Sequence, residues 1–178
     1  MWLRDQLPHD LKQIRSILYG YDTKLLMSES FQTVEDLALS LIARLDSIGR
    51  SLLSAKPLVF LAHSLGGIIL KRALVEMANS NVKQNFMLNA VRQIILFGVP
   101  NRGMQMSHLL PMVEGKPNAG LVEILSPEST YLPKLDDQFN GIMLLRKIRL
   151  VSVYETARTQ VPTVNYVLML AESINLLN

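Results

Sequence analysis

The chain has 178 residues, 49% of them hydrophobic and 19% charged, enough for one domain with a real core and too apolar for a disordered segment. A net charge of +3 without a run of Lys or Arg gives no support to a nucleic-acid partner, and the absence of cysteine excludes disulfides and thiolate metal sites. No apolar stretch is long enough to span a bilayer, and Met1 to Pro8 lacks the apolar core of a signal peptide, so a cytoplasmic protein is the default expectation.

In chain order, Trp2 to Leu7 predicts a short amphipathic turn ended by Pro8. Ile14 to Tyr19 predicts a strand closed by the turn cluster Gly20-Tyr21-Asp22-Thr23. Leu37, Leu41, Leu45, Ile48 and Leu52 recur at helical steps, which predicts a long helix from Thr33 to Ser54, with Ser30 or Thr33 as its cap. Leu58 to Leu61 predicts a buried strand, Leu65 to Asn79 a helix and Gln93 to Phe97 another strand.

From about 104 to 144 the pattern loosens around Pro111, Pro117, Pro127 and Pro133, as in a lid-like excursion that is helical in parts. Ile148 to Tyr154 predicts a fourth strand, and Val164 to Leu177 a helix. Strands alternating with helices imply an α/β fold with a mostly parallel sheet covered on both faces.

The most informative segment is Phe60-Leu61-Ala62-His63-Ser64-Leu65-Gly66-Gly67. An apolar strand stops at a serine flanked by small residues, and a helix starts at once. That pattern is a nucleophile elbow, in which the turn lifts a serine hydroxyl above the sheet. Ala62 and Gly66 supply the small neighbours that so tight a turn needs; Ala62 is a mild departure from G-x-S-x-G. Ser64 is the candidate nucleophile, and the backbone N–H of Leu65 the candidate oxyanion donor.

A serine hydroxyl needs a base, and only His9, His63 and His108 exist. His9 precedes the first strand, and His63 leaves the elbow in another direction. His108 follows a strand on the edge where the serine emerges and is the remaining candidate base. Glu155 ends a later strand, in the expected serine-then-acid order, and is the candidate acid; an exposed loop carboxylate is its other reading. Asp22 reads as a turn former. Arg102 beside Asn101 reads as the partner of a carboxylate such as Glu155 or Asp22. Met104, Met106 and Met112 suit an acyl pocket or a lid packed on the core. No phosphate loop or dinucleotide pattern is present, and no cofactor is expected.

Trp2-Leu3-Arg4-Asp5-Gln6-Leu7-Pro8, Tyr19-Gly20-Tyr21-Asp22, Ala62-His63-Ser64-Leu65-Gly66-Gly67, Gly98-Val99-Pro100-Asn101-Arg102-Gly103 and Tyr154-Glu155-Thr156 occur in that order. The string resembles the motifs W-L-R-D-x-L-P, Y-G-Y-D, G-H-S-L-G-G, G-T-P-H-R-G and Y-E-T. These belong to lipase-like serine esterases of the α/β-hydrolase superfamily, which include the serine-active-site-containing proteins and N-terminal domains of fungal multidomain proteins. The resemblance implies ester hydrolysis through an acyl-enzyme, with acyl esters or lipids as substrates, and association with endoplasmic reticulum or mitochondrial membranes by peripheral contact. It also implies an upstream H-G-L-G-G loop carrying the second oxyanion donor and a late histidine. This chain contains neither, so it reads as a single domain over 1–178 truncated at both ends. The alternative is a non-catalytic remnant, an interaction or regulatory module or a fragment of a multidomain protein. Open sheet edges in such a piece predict self-association.

Overall fold

The computed structural model describes residues 5–21, 30–49, 56–80, 82–105, 107, 110–154 and 174–177. The elements are α1 (Leu7–Asp10), β1 (Ser16–Tyr19), α2 (Val34–Ser47), β2 (Leu58–His63), α3 (Leu65–Asn79), α4 (Val82–Ala90), β3 (Val91–Phe97), α5 (Leu110–Val113), α6 (Ala119–Glu123), α7 (Tyr131–Arg146), β4 (Arg149–Val153) and β5 (Ile174–Leu177).

The sheet runs β1-β5-β2-β3-β4. Its β2, β3 and β4 are parallel, with Phe60 opposite Ile94, Ala62 opposite Leu96, and Ile94 opposite Leu150. The fold is α/β, as the alternation of elements implies. Burial is unequal on the two faces. Phe60, Ala62, Ile94 and Leu96 are all within 2% of complete burial beneath the helices. Val59, Ile95 and Phe97, on the other face, are only partly buried. In the helical layer α3 lies between α2 and α7, and its Ile68, Ile69, Leu70, Ala73, Leu74 and Met77 close the core. The pieces between 110 and 146 pack into the same core through Val113, Val122, Leu132, Leu135 and Phe139.

Several elements differ from the sequence expectation. Pro8 does not end the first helical turn; it occupies the first turn of α1, where its missing N–H is no loss. The α2 helix stops at Ser47, and residues 50–54 of the expected helix lie outside the described residues. Val82 to Ala90 forms α4, for which no helix was expected, and β3 starts at Val91 rather than Gln93. The expected tail helix is replaced, over its last residues, by β5. This strand runs antiparallel between β1 and β2 and satisfies backbone groups on both. Among the described residues the sheet therefore has five strands, where four were expected. Among the described residues no helix is long and apolar enough to cross a membrane.

The α2 start shows how local chemistry sets an element. The Thr33 hydroxyl accepts the Asp36 N–H at 3.2 Å, and the Asp36 carboxylate accepts the Thr33 N–H at 2.9 Å, a reciprocal capping box. The Thr33 N–H and, after it, the Thr33 hydroxyl, which also donates to the Asp36 carboxylate at 2.8 Å, hold the Asp36 carboxyl below its ordinary pKa. Its contribution to stability is therefore present above the unfolded carboxylate pKa and is lost as pH falls through the lowered folded value. Thr33→Ala should destabilise the chain by about 1 kcal/mol. In thermal melts the gap between variant and wild type should narrow under acid, as the carboxylate that the hydroxyl bonds is protonated; a constant gap down to low pH would show that the Thr33 hydroxyl does not bond the Asp36 carboxylate.

Candidate active site

At the end of β2 the chain turns through Ser64, whose φ is 50° and ψ −127°. Among the described residues only Ser64 and Lys147 combine a side chain with positive φ. Such backbone costs on the order of 1–3 kcal/mol and persists where neighbours over-determine it. Here they do. The Ser64 N–H donates to the Phe97 carbonyl at 3.0 Å, and its own carbonyl accepts the Gly67 N–H at 3.0 Å, opening α3. Ser64 is 7% exposed.

The small residues around it have identifiable roles. Ala62 is buried in β2, and Gly66 and Gly67 are buried in the first turn of α3. A Cβ on Gly67 would lie 2.2 Å from Val99 Cγ2, so the loop after β3 packs directly on the helix start. Leu65 is the first residue of α3, and its N–H belongs to the helix N-terminus, where the dipole favours negative charge.

His108 and Glu155 lie outside the described residues, as do Asp22 and Met106. His63 is exposed, with its ring facing Gly98. His9 is exposed and pairs with the adjacent Asp10 at 3.2 Å. Met104 and Met112 are partly buried against the core, and Arg102 is exposed.

One feature near the elbow escaped sequence reasoning. Lys71, two turns along α3 from Ser64, is 3% exposed. Its ammonium donates to Asn101 Oδ1 at 2.7 Å and to the Asp136 carboxylate, and lies 4.8 Å from the centre of the Phe139 ring. Lys71 thus ties α3 to the loop after β3 and to α7. The adjacent Arg72 pairs with Glu76 in α3 and with Glu35 of α2 at 3.6 Å. Beside them, burial pushes the Tyr131 phenol well above its usual pKa, and the Glu35 carboxylate adds to the effect. A lysine within the apolar run Ile68-Ile69-Leu70-Lys71-Arg72-Ala73-Leu74 was the available signal. Its partners, 30 and 65 residues away, were not.

The elbow thus presents a serine on strained backbone at the carboxyl end of a parallel strand, beside a helix N-terminus. That placement suits a nucleophile with charge developing next to it. No family model matches the chain, and no solved structure matches it significantly. Among curated proteins it is similar to Protein SERAC1 of Bos taurus, 28% identical over 172 residues covering 90% of this chain. Protein SERAC1 of Danio rerio is 27% identical over 98% of the chain, and that of Homo sapiens 27% over 90%. The chain spans about a quarter of the length of these relatives, 25% of the bovine and human proteins and 27% of the fish one.

Proposed function

We propose that the chain is a lipase-like serine ester hydrolase module of the α/β-hydrolase kind, with Ser64 as its nucleophile. The observation that carries this reading is Ser64 at φ 50°, ψ −127° between a parallel strand and a buried helix. Similarity to the SERAC1 proteins along nearly the whole chain supports it.

In the proposed reaction the Ser64 hydroxyl attacks the ester carbonyl, and a base takes its proton. The Leu65 N–H stabilises the oxyanion, the alcohol leaves, and water releases the acid from the acyl-serine. His108 is assigned as the base because it is the candidate left among the three histidines, and Glu155 as the acid that orients it because it follows the serine in the expected order. Acyl esters, lipids among them, are the substrate class.

A second reading is favoured by one fact. Of the histidines among the described residues, His9 pairs with Asp10 and His63 turns its ring to Gly98, so neither is placed as a base for Ser64. Loss of such a base lowers turnover on the order of 10⁶-fold in a serine protease. On this reading the fold is a non-catalytic interaction module.

A fluorophosphonate probe separates the two, because it labels a serine only when its surroundings activate it. The esterase reading expects labelling of wild type that disappears in Ser64→Ala while the melting temperature is retained. Absence of labelling in cooperatively folded wild type would leave the non-catalytic module.

A further inference from the structure

Among the described residues Lys71 is the only charged side chain that is buried. An apolar residue of the same volume would pack there as well, because a buried ion pair adds little stability over such a replacement. What the ammonium adds is direction. It donates to Asn101 Oδ1 at 2.7 Å and to the Asp136 carboxylate, and it faces the Phe139 ring. An ammonium only donates, so Asn101 turns its oxygen toward it and the orientation of that carboxamide is fixed.

Asn101 belongs to the segment 98–103, which forms neither helix nor strand. Three contacts join this segment and the end of β3 to the elbow. The Ser64 N–H donates to the Phe97 carbonyl at 3.0 Å, Val99 fills the space beside Gly67, and Lys71 donates to Asn101. On the elbow side they fall at Ser64, Gly67 and Lys71, three and four residues apart and so along one face of α3. On the other side they fall at every second residue, Phe97, Val99 and Asn101. The first contact over-determines the strained φ of Ser64. The second is apolar and non-directional, so it resists separation of the two sides but not sliding. The third is the directional tie that fixes where the segment lies along the helix.

We infer that Lys71 is a positioning residue for Ser64. Acting through Asn101, it holds the segment that follows β3, and with it the Phe97 carbonyl that accepts the Ser64 N–H. Without that tie the segment shifts and the carbonyl moves with it. Ser64 then relaxes out of positive φ, the direction in which its backbone strain already pulls. Its hydroxyl no longer stands above the carboxyl end of β2, where a nucleophile is needed. The consequence for reactivity rests on the reading of Ser64 as a nucleophile; the consequence for its geometry does not. Asp136 has a different part. It neutralises the ammonium from α7, and when it is removed Asn101 still accepts from Lys71.

Rates of fluorophosphonate labelling at Ser64, measured beside melting temperatures, separate positioning from stability. Asn101→Ala and Lys71→Met each remove the tie and should slow labelling about tenfold, the weight of one hydrogen bond to a charged group. The double variant should be no slower than either, because both remove one interaction. Asn101→Asp restores an acceptor in the same place and should label at close to the wild-type rate. Asp136→Ala leaves the tie and should also keep its rate, although it should melt lowest of the single variants. Reactivity and stability then rank the variants differently, which a merely structural role does not produce. Wild-type rates in Asn101→Ala or Lys71→Met, no rescue by Asn101→Asp, or rates that follow the melting temperatures would overturn the inference. A wild type that does not label counts against the esterase reading alone, and amide hydrogen exchange then decides this one. In Asn101→Ala, exchange of the Ser64 N–H should rise about tenfold while that of the α2 amides is unchanged. Equal Ser64 exchange in variant and wild type would overturn it.

Discussion

Gly103→Ala should be among the most damaging single-methyl additions in this chain. Gly103 closes the Gly98-Val99-Pro100-Asn101-Arg102-Gly103 segment with φ 80°, a region L side chains rarely adopt. A Cβ there would stand 2.6 Å from both the Ser126 carbonyl oxygen and the Pro127 nitrogen. Both obstacles are backbone. They sit in a turn pinned to the same segment by the Met104 N–H donating to the Leu125 carbonyl at 2.8 Å. No side-chain rotation relieves such a contact; the chain itself must move. Backbone strain of about 1–2 kcal/mol and overpacking of about 1–3 kcal/mol together give roughly 3–4 kcal/mol. For a chain of this size the melting temperature should fall by on the order of 10 °C. Gly141→Ala is the control: Gly141 lies inside α7 with nothing within 4 Å of an added Cβ, so the same substitution should stabilise slightly. Equal melting temperatures for the two variants would refute the close packing.

The consequence reaches the elbow. Val99, four residues before Gly103, fills the space that Gly67 leaves at the start of α3. Displacing the segment therefore loosens the wall beside Ser64. Gly67 and Gly103 belong to two different sequence motifs, yet they serve one contact system: each lets backbone or a branched side chain approach where a Cβ would intrude.

That explains why this part of the molecule was legible in the sequence. Strand, small residues, serine and helix are local, and the turn they form is set by neighbours within a few positions. The α3 helix and the parallel pairing of β2 with β3 follow from continuous apolar runs. The features that were not legible depend on distant partners. Ile174-Asn175-Leu176-Leu177 carries no decisive periodicity, and its strand state is imposed by the open hydrogen-bonding edges of β1 and β2. Val82 to Ala90 has a weak apolar pattern, and its helix is held by burying Met87 and Leu88. Lys71 reads in isolation as a solvent-facing lysine. Only the arrival of Asn101, Asp136 and Phe139 makes an interior position tolerable.

That buried lysine supports the second large prediction. Asp136→Ala should destabilise the chain more than Lys71→Met does, although both remove the same ion pair. The difference lies in what is left behind. Asp136 is 36% exposed, so without Lys71 its carboxylate can be hydrated and still accepts the Asn140 side-chain N–H at 3.2 Å. Lys71 is 3% exposed, so without Asp136 its ammonium keeps, among the described residues, only a neutral amide oxygen and the face of Phe139. Stranding a buried charge typically costs about 3–5 kcal/mol. Discounting for the partial exposure of Asp136, the loss in Asp136→Ala should be roughly 2–3 kcal/mol, and in Lys71→Met about 1 kcal/mol. The double variant should be more stable than Asp136→Ala alone, because removing the ammonium removes the stranded charge. Urea unfolding of the four proteins measures these differences directly. If Lys71→Met proves the worse single variant, or the double variant is no better than Asp136→Ala, the ammonium is not held in the interior. The link from α3 to the Asn101 loop would then have to rest on the Gly67–Val99 packing alone.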